Sequence, residues 1–313
     1  MSTLVFRSDA VWLVLATVTP QWSPTRLGNM SGKRIIVTGA TNGVGLATAT
    51  ALAHAGAHVI LAVRNLELGA QRAAEMGGDT AVVKLDLADQ ASVRAFPDLL
   101  DGDVDVLINN AGVVAQRRSD TVDGFEMTLG TNFLGPFTLT NLLFERVRSQ
   151  IVIVGSDAHK SATLAFDDPH LRSQKWSAFP AYARSKLAVM LWGLELDRRL
   201  RAAGSPVTAY LTHPGYVASN LANLSDTKIM STFYSVVTSV ANVIGNDIEA
   251  GAAPTLYCLT EPIPPGSYVG IDGRFGFKGG PALSGRTSNA CDYDAARRLW
   301  EFAEQETGTA LPL

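Results

Sequence analysis

From Lys33 onward the chain alternates short runs rich in Val and Ile with longer amphipathic stretches, and this rhythm narrows the possible folds more than any other feature. The runs RIIVTG, AHVILAV, TAVVKLD, VDVLINN, QIVIVGS, PVTAYLTHPG and SYVG read as strands. Helical spacing falls between and after them, at 44–55, 66–76, 90–100, 121–131, 133–148, 181–203, 248–260 and 292–307. Strands separated by helices predict βαβ units and a parallel sheet. The strand runs show little polar alternation, as expected where helices cover both faces. The expectation is one doubly wound α/β domain around a seven-stranded parallel sheet. Two segments, 157–180 and 219–246, look inserted and leave the carboxyl ends of strands, where open α/β sheets bind ligands. Both are expected to wall a substrate.

Of the 313 residues 47% are hydrophobic and 18% charged, enough apolar material for a large core. The net charge of -3 supplies no basic field for nucleic acid, which leaves a small molecule as the expected partner. Cys258 and Cys291 are too few for a disulfide framework and too far apart for a metal clip, and His159, His170 and His213 have no ligand spacing. No metal is expected, and the cysteine usage fits the cytoplasm. Asp167 and Asp168 read as a solvated pair on a polar loop. Met230, Phe233, Tyr234, Val236 and Val237 either line an apolar pocket or pack a helix. Residues 1–30 differ from the rest: AVWLVLATV is nine apolar residues, against the roughly 20 of a membrane span. They are read as an N-terminal extension, with peripheral membrane contact as the alternative, ahead of a domain at 31–313.

Directly after the first strand comes Thr38-Gly39-Ala40-Thr41-Asn42-Gly43-Val44-Gly45, followed by a helix of small and apolar residues. Glycines let backbone approach a pyrophosphate closely, and a helix N-terminus offers free N–H groups and a favourable dipole. The second strand ends at Arg64. An acidic side chain there would accept from the ribose 2′-hydroxyl of NAD, whereas a guanidinium can pair with the 2′-phosphate of NADP. NADP(H) is therefore expected over NAD(H). Asp86, ending the third strand, is placed to meet the adenine edge, and Asn109-Asn110-Ala111-Gly112 ends the fourth. Each of these alone could be a turn former.

Tyr182 and Lys186 stand four apart at the start of a long helix, about 5–6 Å from one another at Cβ. A phenol is a poor acid or base at neutral pH unless a neighbouring cation stabilises its phenolate, and Lys186 could supply that charge. Ser156 could hold a substrate oxygen while Tyr182 gives or takes a proton, and Asn132 could complete a proton path through water.

The ordered set TGATNGVG, NNAG, Asn132, Ser156, YARSK and His213-Pro214-Gly215 resembles the short-chain dehydrogenase/reductase family over nearly the whole chain. TVDGFEMTLGTNFLGPF, YARSKLAVMLW, EAGAAPTLYC and AARRLWEFAEQETG look most like its retinol dehydrogenase and protochlorophyllide reductase branch. The resemblance implies a Rossmann-type fold and a catalytic tetrad of Asn132, Ser156, Tyr182 and Lys186. It also implies cofactor contacts from Gly39, Thr41, Asn42, Gly43, Val44, Gly45, Arg64, Asp86, Leu87, Asn110, Ala111, Gly112, Tyr182, Lys186, Pro214, Gly215 and Val217. Lys186 would bind the nicotinamide ribose, and the backbone after Pro214-Gly215 would touch the carboxamide. The implied reaction is hydride transfer between NADP(H) and the carbonyl or alcohol of a lipophilic molecule. Reduction of a C=C bond, and a non-catalytic NADP-binding scaffold, are the alternatives. A homodimer through the helices at 133–148 and 181–203 is also implied. Phe133 and Pro136 depart from the retinol-type pattern, which often has histidines there.

Overall fold

The computed structural model describes residues 22–215, 248–273 and 279–313. The apolar run at 10–18, the second inserted segment with Met230, Phe233, Tyr234, Val236 and Val237, and Val217 lie outside the described residues.

The strands are β1 (Arg34–Thr38), β2 (His58–Val63), β3 (Thr80–Lys84), β4 (Val104–Asn109), β5 (Val147–Val154), β6 (Thr208–Thr212), β7 (Tyr268–Ile271) and β8 (Pro281–Leu283). They form one sheet in the order β3-β2-β1-β4-β5-β6-β7-β8. All neighbouring pairs are parallel except β7–β8. The order reverses between β1 and β4, and in open sheets that switch point opens a crevice at the carboxyl ends of the strands. The eighth strand is a correction to the seven-stranded parallel reading. Its three residues are too few for a periodic signal, and it begins on a proline, which suits a sheet edge.

The helices are α1 (Gly43–His54), α2 (Leu66–Met76), α3 (Gln90–Ala95), α4 (Met127–Leu129), α5 (Gly135–Leu143), α6 (Ala178–Ala202), α7 (Ile248–Thr260) and α8 (Tyr293–Thr307). Strand side chains alternate between the two layers they form. Ile36, Ile60, Leu107, Ile151 and Ile153 pack on one face with Phe133, Phe137 and Trp192, and Ile35, Val37, Leu61, Ile108 and Val152 pack on the other with Leu52 and Leu256. Burial on both faces is why these strands carry no polar alternation.

Four boundaries differ from the sequence reading. The two helices expected at 121–131 and 133–148 are one helical run with a defect. Residues Thr121 to Gly124 form a turn, Glu126 caps α4 by accepting from Leu129 N at 2.8 Å, and a π-helical turn, Gly130–Leu134, leads into α5. A 3₁₀ turn, Phe144–Arg146, then ends the run where β5 begins at Val147. The helix expected at 90–100 stops at Ala95, because Pro97 has no N–H to continue the i→i−4 ladder, and a 3₁₀ turn Phe96–Leu99 follows. Helix α6 begins at Ala178, three residues early, since Pro180 is tolerated in a first turn. Finally, residues 22–30, read as extension, pack on the domain. Trp22 and Leu27 are buried, the Trp22 ring meets Tyr257 of α7 edge-on, and Arg26 pairs with Glu261 at 3.2 Å.

Helix α8 lies across α5 and α6. Trp300 is 1% exposed, meets Phe137 edge-on at 5.0 Å between ring centroids, and carries the Arg199 guanidinium 4.4 Å above its ring. The apolar faces of α5 and α6 that suggested a dimer are thus covered from within the chain. Among the described residues no helix is long and apolar enough to cross a membrane.

Candidate active site

The turn after β1 is built for close approach. Gly39 has φ +68°, and a Cβ on Gly45 would fall 2.3 Å from Asn110 Nδ2 and 2.5 Å from the Gly39 carbonyl. The Asn42 side chain precedes α1 in extended backbone without capping it, so the first N–H groups of α1 have no side-chain acceptor. Replacing Gly45 with Ala is expected to cost about 1–3 kcal/mol of stability by overpacking. Displacement of the turn would also weaken dinucleotide binding, and a thermal melt paired with a binding titration reads both effects.

Some of the expected cofactor contacts also serve as scaffolding. Asn110 Nδ2 donates to the Thr38 carbonyl at 2.8 Å, and the N–H groups of Asn110 and Ala111 both donate to Thr38 Oγ1 at 3.0 Å. These bonds tie the β1 turn to the end of β4, so Asn110 shapes the cradle with its side chain turned inward. Leu87 packs its side chain into the core, which leaves only its backbone for a ligand. Asp86 accepts from Ala88 N at 3.0 Å and so organises its own turn.

Arg64 lies exposed at the end of β2, with no hydrogen bond or ion pair from its guanidinium to any described residue. Two further cations approach this corner. Lys84 Nζ donates to the Arg64 carbonyl at 2.7 Å, and Arg72 Nε donates to the Thr41 carbonyl at 3.2 Å. Sequence reasoning missed both. Lys84 was accessible in principle, because parallel register sets it opposite Val63, but Arg72 reaches back from the second turn of α2.

The four expected catalytic residues converge at the carboxyl ends of β4 and β5. Asn132 sits in the π turn, 3% exposed, and π turns often mark functional sites. Its Oδ1 accepts from Val113 N at 2.7 Å, and its Nδ2 donates to the Val113 carbonyl at 3.0 Å and to Ser185 Oγ at 2.9 Å. Ser185, inside YARSK, donates in turn to the Tyr182 carbonyl at 2.8 Å. Asn132 therefore fastens the loop after β4 to α6. A Cβ built on Gly112 would stand 3.5 Å from both Asn132 Oδ1 and Lys186 Nζ, which places the end of β4 between those two groups.

Lys186 is 4% exposed, and its ammonium donates to the Val154 carbonyl at 2.9 Å. Burial lowers its pKa to about 8. Tyr182 goes the other way: burial pushes its phenol above the ordinary range, and a hydrogen bond with the Ser156 side chain offsets this only in part. The net direction for the phenol is therefore up, and the Lys186 Nζ, 5.8 Å from the ring centroid, is directed to the Val154 carbonyl. Ser156 itself caps the 3₁₀ turn Asp157–Ser161 by accepting from Ala158 N at 3.2 Å. Beyond β6, His213 Nδ1 accepts from Gly215 N at 3.2 Å and sets the Pro214-Gly215 turn.

The first inserted segment is pinned. His170 stacks on Phe125, accepts from Glu126 N at Nδ1 and donates from Nε2 to Glu306 at 3.2 Å. Asp168, read as solvated, is 9% exposed. It accepts from the N–H groups of Arg172 and Ser173 and from Ser173 Oγ, and these bonds hold its carboxyl down at about 2. Leu164 and Phe166 pack against the core, and Arg298 of α8 covers the Phe166 ring at 4.2 Å.

A glycine turn at a switch point, beside a buried lysine and asparagine and a half-buried tyrosine and serine, defines a nucleotide-dependent oxidoreductase. The profile of the short chain dehydrogenases matches residues 33–229, and the chain belongs to that family. Human retinol dehydrogenase 13 is 34% identical over 332 aligned positions, covering 100% of this chain and 95% of its own. The crystal structure of an uncharacterized protein from Mycobacterium paratuberculosis is 40% identical with a TM-score of 0.81, covering 94% of this chain and all of its own. A blue fluorescent protein from a metagenomic library, crystallised with NADPH, is 26% identical with a TM-score of 0.59, covering 79% of this chain and 99% of its own.

Proposed function

We propose that the protein transfers hydride between NADP(H) and the carbonyl or alcohol group of a lipophilic small molecule. The observation that carries this reading is the convergence of Tyr182, Ser156, Lys186 and Asn132 at the carboxyl ends of β4 and β5, on the same edge of the sheet as the glycine turn after β1. The residues present suit a dinucleotide. The α1 N-terminus lacks a side-chain cap, Gly45 leaves no Cβ in the way, and the exposed Arg64 guanidinium, without a partner among the described residues, suits a 2′-phosphate. The NADPH held by the metagenomic relative supports the choice of nucleotide, and the name of retinol dehydrogenase 13 supports a lipophilic substrate.

When bound, the nicotinamide supplies or accepts the hydride. This chain handles the proton. A phenol held above its ordinary pKa stays protonated at neutral pH and can donate to a carbonyl oxygen as charge develops there. Ser156 orients that oxygen. The buried Lys186 ammonium still carries charge at neutral pH and would hold the nicotinamide ribose beneath the tyrosine.

Titration with NADPH and NADH, following nicotinamide fluorescence, tests the nucleotide. NADPH is expected to bind more tightly. Arg64→Glu should weaken NADPH by about 10–100-fold, the worth of a charge-assisted hydrogen bond, and leave NADH little changed. Equal loss for both nucleotides would refute the 2′-phosphate role. A panel of apolar aldehydes and ketones then tests the substrate class.

A further inference from the structure

A half-buried carboxylate beside Ser156 has no part in the reaction as described. The Asp157 carboxylate accepts from Lys160 Nζ at 2.9 Å and from the Tyr268 hydroxyl at 3.3 Å, and His213 Nε2 stands 3.6 Å away. Tyr268 and His213 are buried, with ring centroids 5.1 Å apart. Because His213 Nδ1 accepts from Gly215 N, the neutral ring carries its proton on Nε2, the nitrogen nearer Asp157. Burial holds the His213 pKa down at about 4, so the ring is neutral in ordinary buffers. Burial alone would raise the Asp157 carboxyl, but His213, Lys160 and Tyr268 outweigh it and the net direction is down. The site is tightly built, since a Cβ on Gly270 would fall 1.8 Å from His213 Nε2.

One carboxylate thus gathers three chain segments. Its own backbone follows Ser156 at the end of β5, His213 opens the Pro214-Gly215 turn after β6, and Tyr268 starts β7. We propose that Asp157 is a positioning residue that sets the spacing between Ser156 and the Pro214-Gly215 turn, through His213 and Tyr268. In that function Ser156 would orient the substrate oxygen and the backbone after Pro214-Gly215 would touch the nicotinamide carboxamide, so this spacing would govern how carbonyl carbon and hydride donor meet. The inference rests on the function proposed above.

The test compares wild type with Asp157→Ala, Asp157→Asn and Tyr268→Phe in the full chain. It measures kcat and KM for a reducible carbonyl, NADPH affinity, the emission of bound NADPH, and the melting temperature. In Asp157→Ala, kcat is expected to fall by about a hundredfold, the usual cost of an ångström-scale misplacement, with NADPH affinity unchanged. The emission of bound NADPH should shift as the carboxamide turn relaxes. Asp157→Asn keeps the shape and an acceptor for Tyr268, and should recover much of kcat. Tyr268→Phe should lose kcat in the same sense as Asp157→Ala. Unchanged kcat and emission in Asp157→Ala, with only a lower melting temperature, would reduce the group to a structural tie and overturn the proposal. Failure of the wild type to bind NADPH would overturn the functional reading itself, and this inference with it.

Discussion

Tyr182→Phe is expected to lose between about a hundredfold and ten-thousandfold in kcat, the usual worth of a positioned acid or base, with NADPH affinity close to that of wild type. The ring keeps its place in the second turn of α6, and only the hydroxyl beside Ser156 is removed. Stability should barely change, because the lost hydroxyl bonds one side chain that has Ala158 N as a further partner. Single-turnover hydride transfer with a saturating carbonyl, run beside an NADPH titration, checks the result. Activity within a few fold of wild type would mean that the proton comes from elsewhere.

Lys186→Met should abolish turnover and yet raise stability. The ammonium is buried with one carbonyl acceptor, and the folded pKa near 8 stands below the roughly 10.4 of a free lysine. Folded protein therefore binds fewer protons than unfolded chain between those values, so wild-type stability rises with pH across that window and the burial penalty is fully present below pH 8. At neutral pH the penalty is on the order of 3 kcal/mol, and the Val154 carbonyl left without its donor gives back about 1. A net gain on the order of 2 kcal/mol corresponds to a rise of several degrees in Tm. Melting curves of both proteins at pH 7 and pH 10 without nucleotide test this. The gap should shrink at the higher pH, and a variant less stable than wild type at pH 7 would contradict it.

The sheet was legible because most of its strands are buried runs bounded by turns, and the order of motifs along those turns pointed to the four residues that the structure brings together. What escaped sequence reading has definite causes. The π turn at Asn132 preserves helical spacing on both sides, so its one-residue defect looks like a break between two helices. β8 is three residues long. Asp168 carries the composition of a solvated loop, and nothing local reveals that three donors fold back on it. Tyr268 and Asp157 lie more than a hundred positions apart and meet only because β7 runs beside β6. Asn110 does sit beside the glycine turn, but its amide direction depends on Thr38 across the sheet.

The way α8 closes over α5 and α6 bears on how the chain comes off the ribosome. Phe137 meets Trp300 across about half the sequence, so the aromatic face made by Phe133, Phe137 and Trp192 is complete long before the helix that shields it has been synthesised. Contacts of such separation form late. Until then the nascent domain leaves this aromatic face uncovered, and a chain halted before residue 293 is expected to associate through it.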